Sequence, residues 1–418
     1  MDFPKSEKRV VRIKAPLGKT FKALTHRNYR LWFFGQMVSL FGTWMQSAAQ
    51  GFFIFELTHS VFYLGLVGFF LGLPTWLFML YGGVVSDRFP RKKILLITQF
   101  SMMLLALILA GLYFTGLIKP WHILLLSFLL GTANAFDAPA RQSFVVDLVP
   151  REDLNNAIAL NSTMFNASVV VGPALGGLVY ALVGPGWCFM VNALSFIAVI
   201  GGLLLMRIEY QMVSENKHSA FSDIREGLLY VSKKPSIIAI FCAIACFSLF
   251  GLAFINLLPA WSVNVLHGNS ETNGLLQAAR GFGALLVALS IASIGSIRIK
   301  GKLLTLGTFL VPIFVLLFSL IAYAPMSIAV IVLVGISGML VSNMCMTIIQ
   351  NITADEFRGR VLSIYNLVFS GFLPIGSLWI GTAAGFFGEQ TAVIISAGLA
   401  FLGAAAIWKL FPALRTTE

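Results

Sequence analysis

Charge is scarce in this sequence, and it gathers at a few places. The stretch "GGVVSDRFPRKK" (residues 82–93) sets Asp87 between two glycines, Gly82 and Gly83, and the cations Arg88, Arg91, Lys92 and Lys93. Asp137 precedes Arg141 by one helical turn, a spacing suited to an ion pair on one helix face. Arg280 stands inside an apolar run beside Gln277. A carboxylate among guanidinium groups can form and release ion pairs. An arginine in apolar surroundings can hold a carboxylate or another planar anion, or it can bridge helices as an architectural cation; both readings stand for Arg280. Covalent chemistry finds no support. The histidines (His26, His59, His122, His218, His267) lie at the ends of apolar runs or between them. No His-x-x-x-His, Gly-rich loop with Lys-Ser, or Gly-x-Ser-x-Gly occurs. The expectation is a protein that is not an enzyme and uses no cofactor and no metal.

The elements that must position these groups follow from composition. Of 418 residues, 58% are hydrophobic and 11% are charged, where a soluble domain carries about 25% charged residues. Such a chain reads as a polytopic membrane protein. Apolar runs long enough to cross a bilayer, about 17–25 residues each, number twelve: 29–55, 60–86, 93–117, 121–146, 157–183, 187–206, 236–264, 271–293, 303–323, 325–350, 362–386 and 390–411. One long polar break divides them into two sets of six. The expected fold is therefore all-α, with twelve transmembrane helices in two six-helix bundles. The expected organisation is a basic segment at 1–28, a first bundle at 29–207, a central loop at 208–235, a second bundle at 236–411 and a tail at 412–418. The first 28 residues are basic without an apolar core, so no secretory signal is expected. Cys188, Cys242, Cys246 and Cys345 all lie in apolar stretches and are expected to pack rather than to form disulfides.

Lysine and arginine set the orientation. Twenty-seven of the 29 fall in the N-terminal segment to Arg30, at the C-terminal end, or in and around the alternate breaks that share their side; Lys119 and Arg280 are the exceptions. Cytoplasmic loops carry this excess, which places both termini and the central loop inside. The net charge of +12 then needs no nucleic acid to explain it.

Anchoring alone would account for the cations of residues 82–93 but not for Gly-x-x-x-Asp-Arg. That arrangement resembles the loop signature of the major facilitator superfamily, Gly-x-x-x-Asp-Arg-x-Gly-Arg-Arg, matched by Gly83, Asp87, Arg88, Arg91 and Lys92, with Pro90 where the signature has its last glycine. The resemblance implies a latch that locks the inward ends of the two halves in one conformation. Asp87 would face the start of the eleventh run near residues 361–363, and Arg91 would reach Asp137 or Asp147. The equivalent turn of the second half, "SIGSIRIKGK", keeps cations and lacks the acid, as a degenerate copy in a repeat would. In the fifth run, Gly172, Pro173, Gly176 and Gly177 form Gly-Pro-x-x-Gly-Gly, which resembles a signature of the exporters and antiporters of the superfamily; small residues also simply permit close packing. Ala278, Gly281, Gly283 and Ala284 of the eighth run offer a partner surface.

Polar residues inside the runs fall along helical stripes. Gln36, Ser39, Thr43, Gln46, Ser47 and Gln50 mark the first; Ser127, Asn134, Asp137 and Arg141 the fourth; Asn343, Thr347 and Gln350 the tenth; Asn366 and Ser370 the eleventh. Such stripes should face a wet cavity, because unpaired polar groups in lipid cost several kcal/mol. Asp137 reads either as a structural partner of a nearby arginine or as a proton carrier. Glu56 ends the first run at a loop-like position. The stretch "FDAPARQSFVVDLVPREDLNNAIALNS" (residues 136–162) is similar to the fourth-to-fifth helix junction of a bacterial exporter branch that includes macrolide-efflux and enterobactin-exporting proteins. The resemblance implies a monomeric, inner-membrane secondary transporter. It would export an amphipathic drug-like compound or siderophore by alternating access, with the proton gradient as drive. An importer or lipid mover on the same fold is the nearest alternative, and a non-transporting receptor or scaffold a more distant one.

Overall fold

A computed structural model describes residues 21–208, 220–294 and 299–412. The expectations placed on residues 1–20, on residues 209–219, on Arg298 and on the tail from residue 413 fall outside the described residues.

The chain is helical, with no strand among the described residues. The first half comprises α1 (Arg27–Thr58), α2 (Val61–Arg88), α3 (Arg91–Phe114), α4 (Pro120–Phe144), α5 (Leu154–Val183) and α6 (Pro185–Leu205). A short helix, α7 (Ala220–Ser232), precedes the second half. That half comprises α8 (Pro235–Val265), α9 (Ser270–Ile294), α10 (Lys300–Ser319), α11 (Ala324–Ile352), α12 (Asp355–Phe387) and α13 (Glu389–Leu410). Among the described residues, eleven helices are long and apolar enough to cross a membrane by length and composition. The twelfth, α1, has the length, at 32 residues, but its glutamines and serines dilute the apolar run. That dilution is the polar stripe read in the sequence.

The two halves repeat each other down to their punctuation. His59 closes α1 and His267 stands between α8 and α9, both in the left-handed region (φ 49° and 52°). Gly184 and Gly388 (φ 89° and 81°) separate the fifth from the sixth long helix of each half. Positive φ is open to glycine without a Cβ penalty, so each of these glycines allows a sharp reversal between two helices. In the first half the second and fourth long helices touch at Gly131, where an added Cβ would come 2.1 Å from the Leu71 carbonyl. In the second half the same junction is Gly335 against the Arg280 carbonyl, at 2.0 Å.

Small residues also join one half to the other, as expected where lipid supplies no hydrophobic drive between helices. A Cβ on Gly381 of α12 would lie 2.6 Å from the Gly65 Cα of α2, and one on Gly274 of α9 would lie 3.0 Å from the Gly177 Cα of α5. These two crossings are equivalent under the repeat. Both lie toward the end of the molecule away from the basic turns. Further along α2, Gly72 packs on Pro374, and the Trp76 indole donates to the Gly371 carbonyl at 2.5 Å. Toward the basic end no hydrogen bond or ion pair joins the halves among the described residues. Helix α7 belongs to the second half: its Tyr230 ring stacks on Phe357 at 4.5 Å and its Glu226 pairs with Arg360 at 2.9 Å, both at the start of α12.

Candidate functional site: a cavity between the halves and the charged turn beneath it

A cavity of about 720 Å³ is lined by all six long helices of the first half, α1 to α6, and by α8, α9, α11 and α12 of the second. Of the residues expected to line it, Thr43, Gln46, Gln50, Asn134, Gln277 and Arg280 do so. Gln36, Asp137, Asn343 and Asn366 do not belong to its wall. Gln36 is buried nearer the basic end of α1, beside Gly35, which packs on the α6 backbone. On α11 and α12 the polar positions of the wall are Ser342, Ser370 and Ser377. One residue turns an α-helix by about 100°, which is enough to carry Asn343 off the face that Ser342 occupies.

The stripe on α1 is wired into its own half. The Asn192 amide on α6 donates to Gln46 Oε1 at 2.7 Å, and the Gln50 amide donates to Ser127 Oγ on α4 at 2.9 Å. Gln46 and Gln50 meet each other at 3.5 Å. Asn192 was missed in the sequence because it is a single polar residue in the otherwise apolar sixth run. Asn256 was missed too, for a different reason. It lies where α8 leaves regular α-helical form, between π-helical turns at Phe247–Gly251 and Trp261–Val265, so a helical period does not place it. Its amide donates to Ser377 Oγ on α12 at 2.8 Å. Trp44, Phe165, Phe196 and Phe369 add apolar and aromatic surface to the wall.

Arg280 is the one charged residue on this wall among the described residues. Its side chain makes no hydrogen bond or ion pair with them, and its Nε is closed off from solvent without an acceptor. Along the same face of α9, Gln277 instead donates to Asn273 Oδ1 at 3.1 Å, and Asn273 to the Ala48 carbonyl of α1 at 3.4 Å.

At the basic end, Arg91 Nη1 contacts both carboxylate oxygens of Asp147, at 2.8 and 2.9 Å, and the Ser143 carbonyl at 3.3 Å. Of the two acids open to Arg91 in the sequence, Asp147 is therefore the one it meets. Asp137 is buried between α4 and α3. It accepts from Thr98 and Gln99 at 2.8 Å each and faces Arg141 Nε at 3.4 Å. Lys92 donates to the Met206 carbonyl at the end of α6, at 2.9 Å. Asp87 and Arg88 are exposed, and Asp87 makes no ion pair with the described residues. It makes no hydrogen bond or ion pair with residues 361–363. The glycines before it divide: Gly82 sits against the Ala135 carbonyl, whereas Gly83 has open space around it. At the opposite end Glu56 belongs to the last turns of α1, not to a loop, and accepts a hydrogen bond from Tyr180 of α5.

The fifth-helix glycines serve two partners. Gly172 and Gly176 accommodate Trp44 and Met45 of α1, and Gly177 accommodates Ser270 and Gly274 of α9. The meeting surface on α9 is Gly274 and Gly281; Gly283 turns instead to Val332 of α11. The cysteines are all free thiols, with Cys188 and Cys345 buried.

Two six-helix bundles around a shared cavity with one unpaired cation define a multi-pass membrane transporter. The sequence then places it within that class. Residues 18–418 match the model of the transmembrane secretion effectors, and the chain belongs to that family of the major facilitator superfamily. It is 24% identical to the staphyloferrin A transporter of Staphylococcus aureus over 85% of this chain and 90% of that one. It is 23% identical to macrolide efflux protein A of Streptococcus pyogenes over 84% and 89%, and 25% identical to the enterobactin exporter of Salmonella typhi over 82% of each. Among solved structures, a bacterial homolog of the human lysosomal transporter Spinster, inward-facing and occupied, superposes with a TM-score of 0.74 at 15% identity, covering 93% of this chain and 97% of that one. The nucleoside transporter NupG superposes at 0.69 and 15% identity, covering 93% and 99%. At these identities the structures speak for the fold.

Proposed function

We propose that this protein is a secondary active transporter that exports an amphipathic small molecule, a drug-like compound or siderophore, across the bacterial inner membrane by alternating access. The observation that carries the reading is the placement of the cavity. It is walled by both halves, with the paired glycine crossings at one end; at the other end, which bears the lysines and arginines, no hydrogen bond or ion pair joins the halves among the described residues. We read that end as the open one. The excess of basic residues makes it cytoplasmic, so the cavity loads from inside. Closing that end while the far end separates would carry the cargo outward. The names of the relatives, two of them exporters or efflux proteins, favour this direction over import. Aromatic and apolar surface beside a hydrogen-bonded amide stripe suits a cargo with both characters. The proton gradient is the proposed drive, and the protein is proposed to work as a monomer with both termini in the cytoplasm.

Uptake of labelled siderophores and drug-like compounds into inside-out vesicles tests this. At least one compound should accumulate when a proton gradient is imposed, and an uncoupler should abolish the accumulation. Folded protein that takes up nothing across the panel, or takes it up without regard to the gradient, points instead to an importer or a lipid mover.

A further inference from the structure

We propose that the cargo of this cavity is an organic anion, held through a carboxylate or equivalent planar acid group by Arg280. This rests on the reading of the cavity as a transport site and adds the charge class of what enters it.

Three observations converge. Arg280 is the sole charge on the cavity wall among the described residues, and no acid faces it there. Its guanidinium has no hydrogen-bond or ion-pair partner among them, although Nε is already withdrawn from solvent. A cation inside a membrane protein is costly unless paired, and the other intramembrane charge, Asp137, has a full set of donors. A negative group would be the strongest partner for Arg280, and an open cavity is where it can arrive.

The repeat answers the architectural alternative. The backbone carbonyl of Arg280 packs on Gly335 of α11, and in the first half the carbonyl of Leu71 packs on Gly131 of α4 in the same way. Leucine serves at the equivalent junction, so the helix contact does not require a guanidinium. Packing is done by the backbone and the glycine, and the side chain is left free for the cavity. Its planar fork matches two carboxylate oxygens at once. Across the cavity, Trp44, Phe165 and Phe196 would receive the apolar body of the same molecule. The α1 glutamines already bond to Asn192 and Ser127, so they offer neutral contacts and no counter-charge for a cationic cargo.

The test uses the full-length protein in nanodiscs of zwitterionic lipid and three fluorescent probes sharing one polycyclic aromatic body: the carboxylate, its methyl ester, and the corresponding primary amine. The wild type should bind the carboxylate about ten-fold or more tightly than the ester or the amine. Arg280→Gln should erase that preference while keeping the wild-type melting temperature, and Arg280→Lys should keep part of it. A second preparation containing anionic lipid distinguishes cargo from headgroup. Unchanged carboxylate affinity supports the proposal; loss of carboxylate binding there means that a lipid phosphate is the natural occupant and overturns it. A wild type that binds the three probes alike, fails to bind the carboxylate at millimolar concentration, or keeps its preference after Arg280→Gln also overturns it. Transport of the ester by Arg280→Gln in vesicles would leave the transporter reading intact in that event. Carboxylate selectivity without transport of any probe would sink the transporter reading and leave the anion site.

Discussion

Asp137 lies in the last turns of α4 and Asp147 just beyond its end, and only the second meets Arg91. The reason is local. Helix α4 ends at Phe144, and the tighter 3₁₀ turn Val145–Asp147 changes the phase of the chain, swinging Asp147 beneath α3. That Arg91 required an acid was legible in the sequence; which acid was not, because a helical period fails where the helix does. The same limit separates Asn343 from Ser342, one residue and a different face. Asp137 reads from its surroundings as a structural carboxylate, with two donors on one oxygen and Arg141 on the other. Asp137→Leu strands these partners and should cost about 3–5 kcal/mol of stability, while Asp137→Asn keeps an acceptor and should recover most of it. Thermal unfolding in detergent measures both. Gradient-driven uptake should survive in Asp137→Asn; a folded variant that transports without responding to the gradient would make Asp137 the proton carrier.

Helix α5 carries a motif associated with exporters, yet its glycines have a plain packing role with an equivalent in the other half. Gly177 meets α9 as Gly381 meets α2. A Cβ on Gly177 would come 2.6 Å from the Ser270 carbonyl, and one on Gly381 would come 2.6 Å from the Gly65 Cα. Overpacking costs about 1–3 kcal/mol, and here it falls only on the state that is shut at the far end. Gly177→Val and Gly381→Val should therefore raise the labelling rate of a far-end cysteine by similar factors, about ten-fold for either. An effect from Gly177→Val alone would give the motif a role beyond packing. The sequence disclosed the glycines of α5 but not which glycines they are matched by: Gly65 is spaced with Gly68 and Gly72, and Gly381 with Gly385, as packing glycines are, but such spacing does not name the partner helix. The long helices were legible from their apolar runs, α1 least clearly because of its polar stripe. The break in α8 was not, since its apolar residues run on through the π-helical turns.

At the scale of the molecule, the charged turn and the glycine crossings occupy opposite ends of the same two halves. In this arrangement the crossings are closed, the Arg91–Asp147 pair ties α3 to the end of α4 within one half, and Asp87 stands exposed. The pair is partly exposed and worth about 0–1 kcal/mol by itself. In the proposed cycle it would hold the turn in place until Asp87 engages the second half, so that a small differential contact biases the two states. Helix α7, fixed to the start of α12 through Tyr230 and Glu226, should travel with the second half.

Spin labels at both ends test this rocking directly, with one pair at Phe62→Cys and Phe386→Cys, exposed on α2 and α12 at the far end, and another at Phe89→Cys and Gly359→Cys at the basic end. Without cargo, the far pair should be close and narrowly distributed and the basic pair distant. A transported compound, or a proton gradient in vesicles, should populate a second state in which the far pair is longer and the basic pair shorter. Asp87→Asn should suppress that second state without unfolding the protein. Distances that stay fixed at both ends, under conditions in which the same labelled protein transports, would contradict alternating access in this molecule.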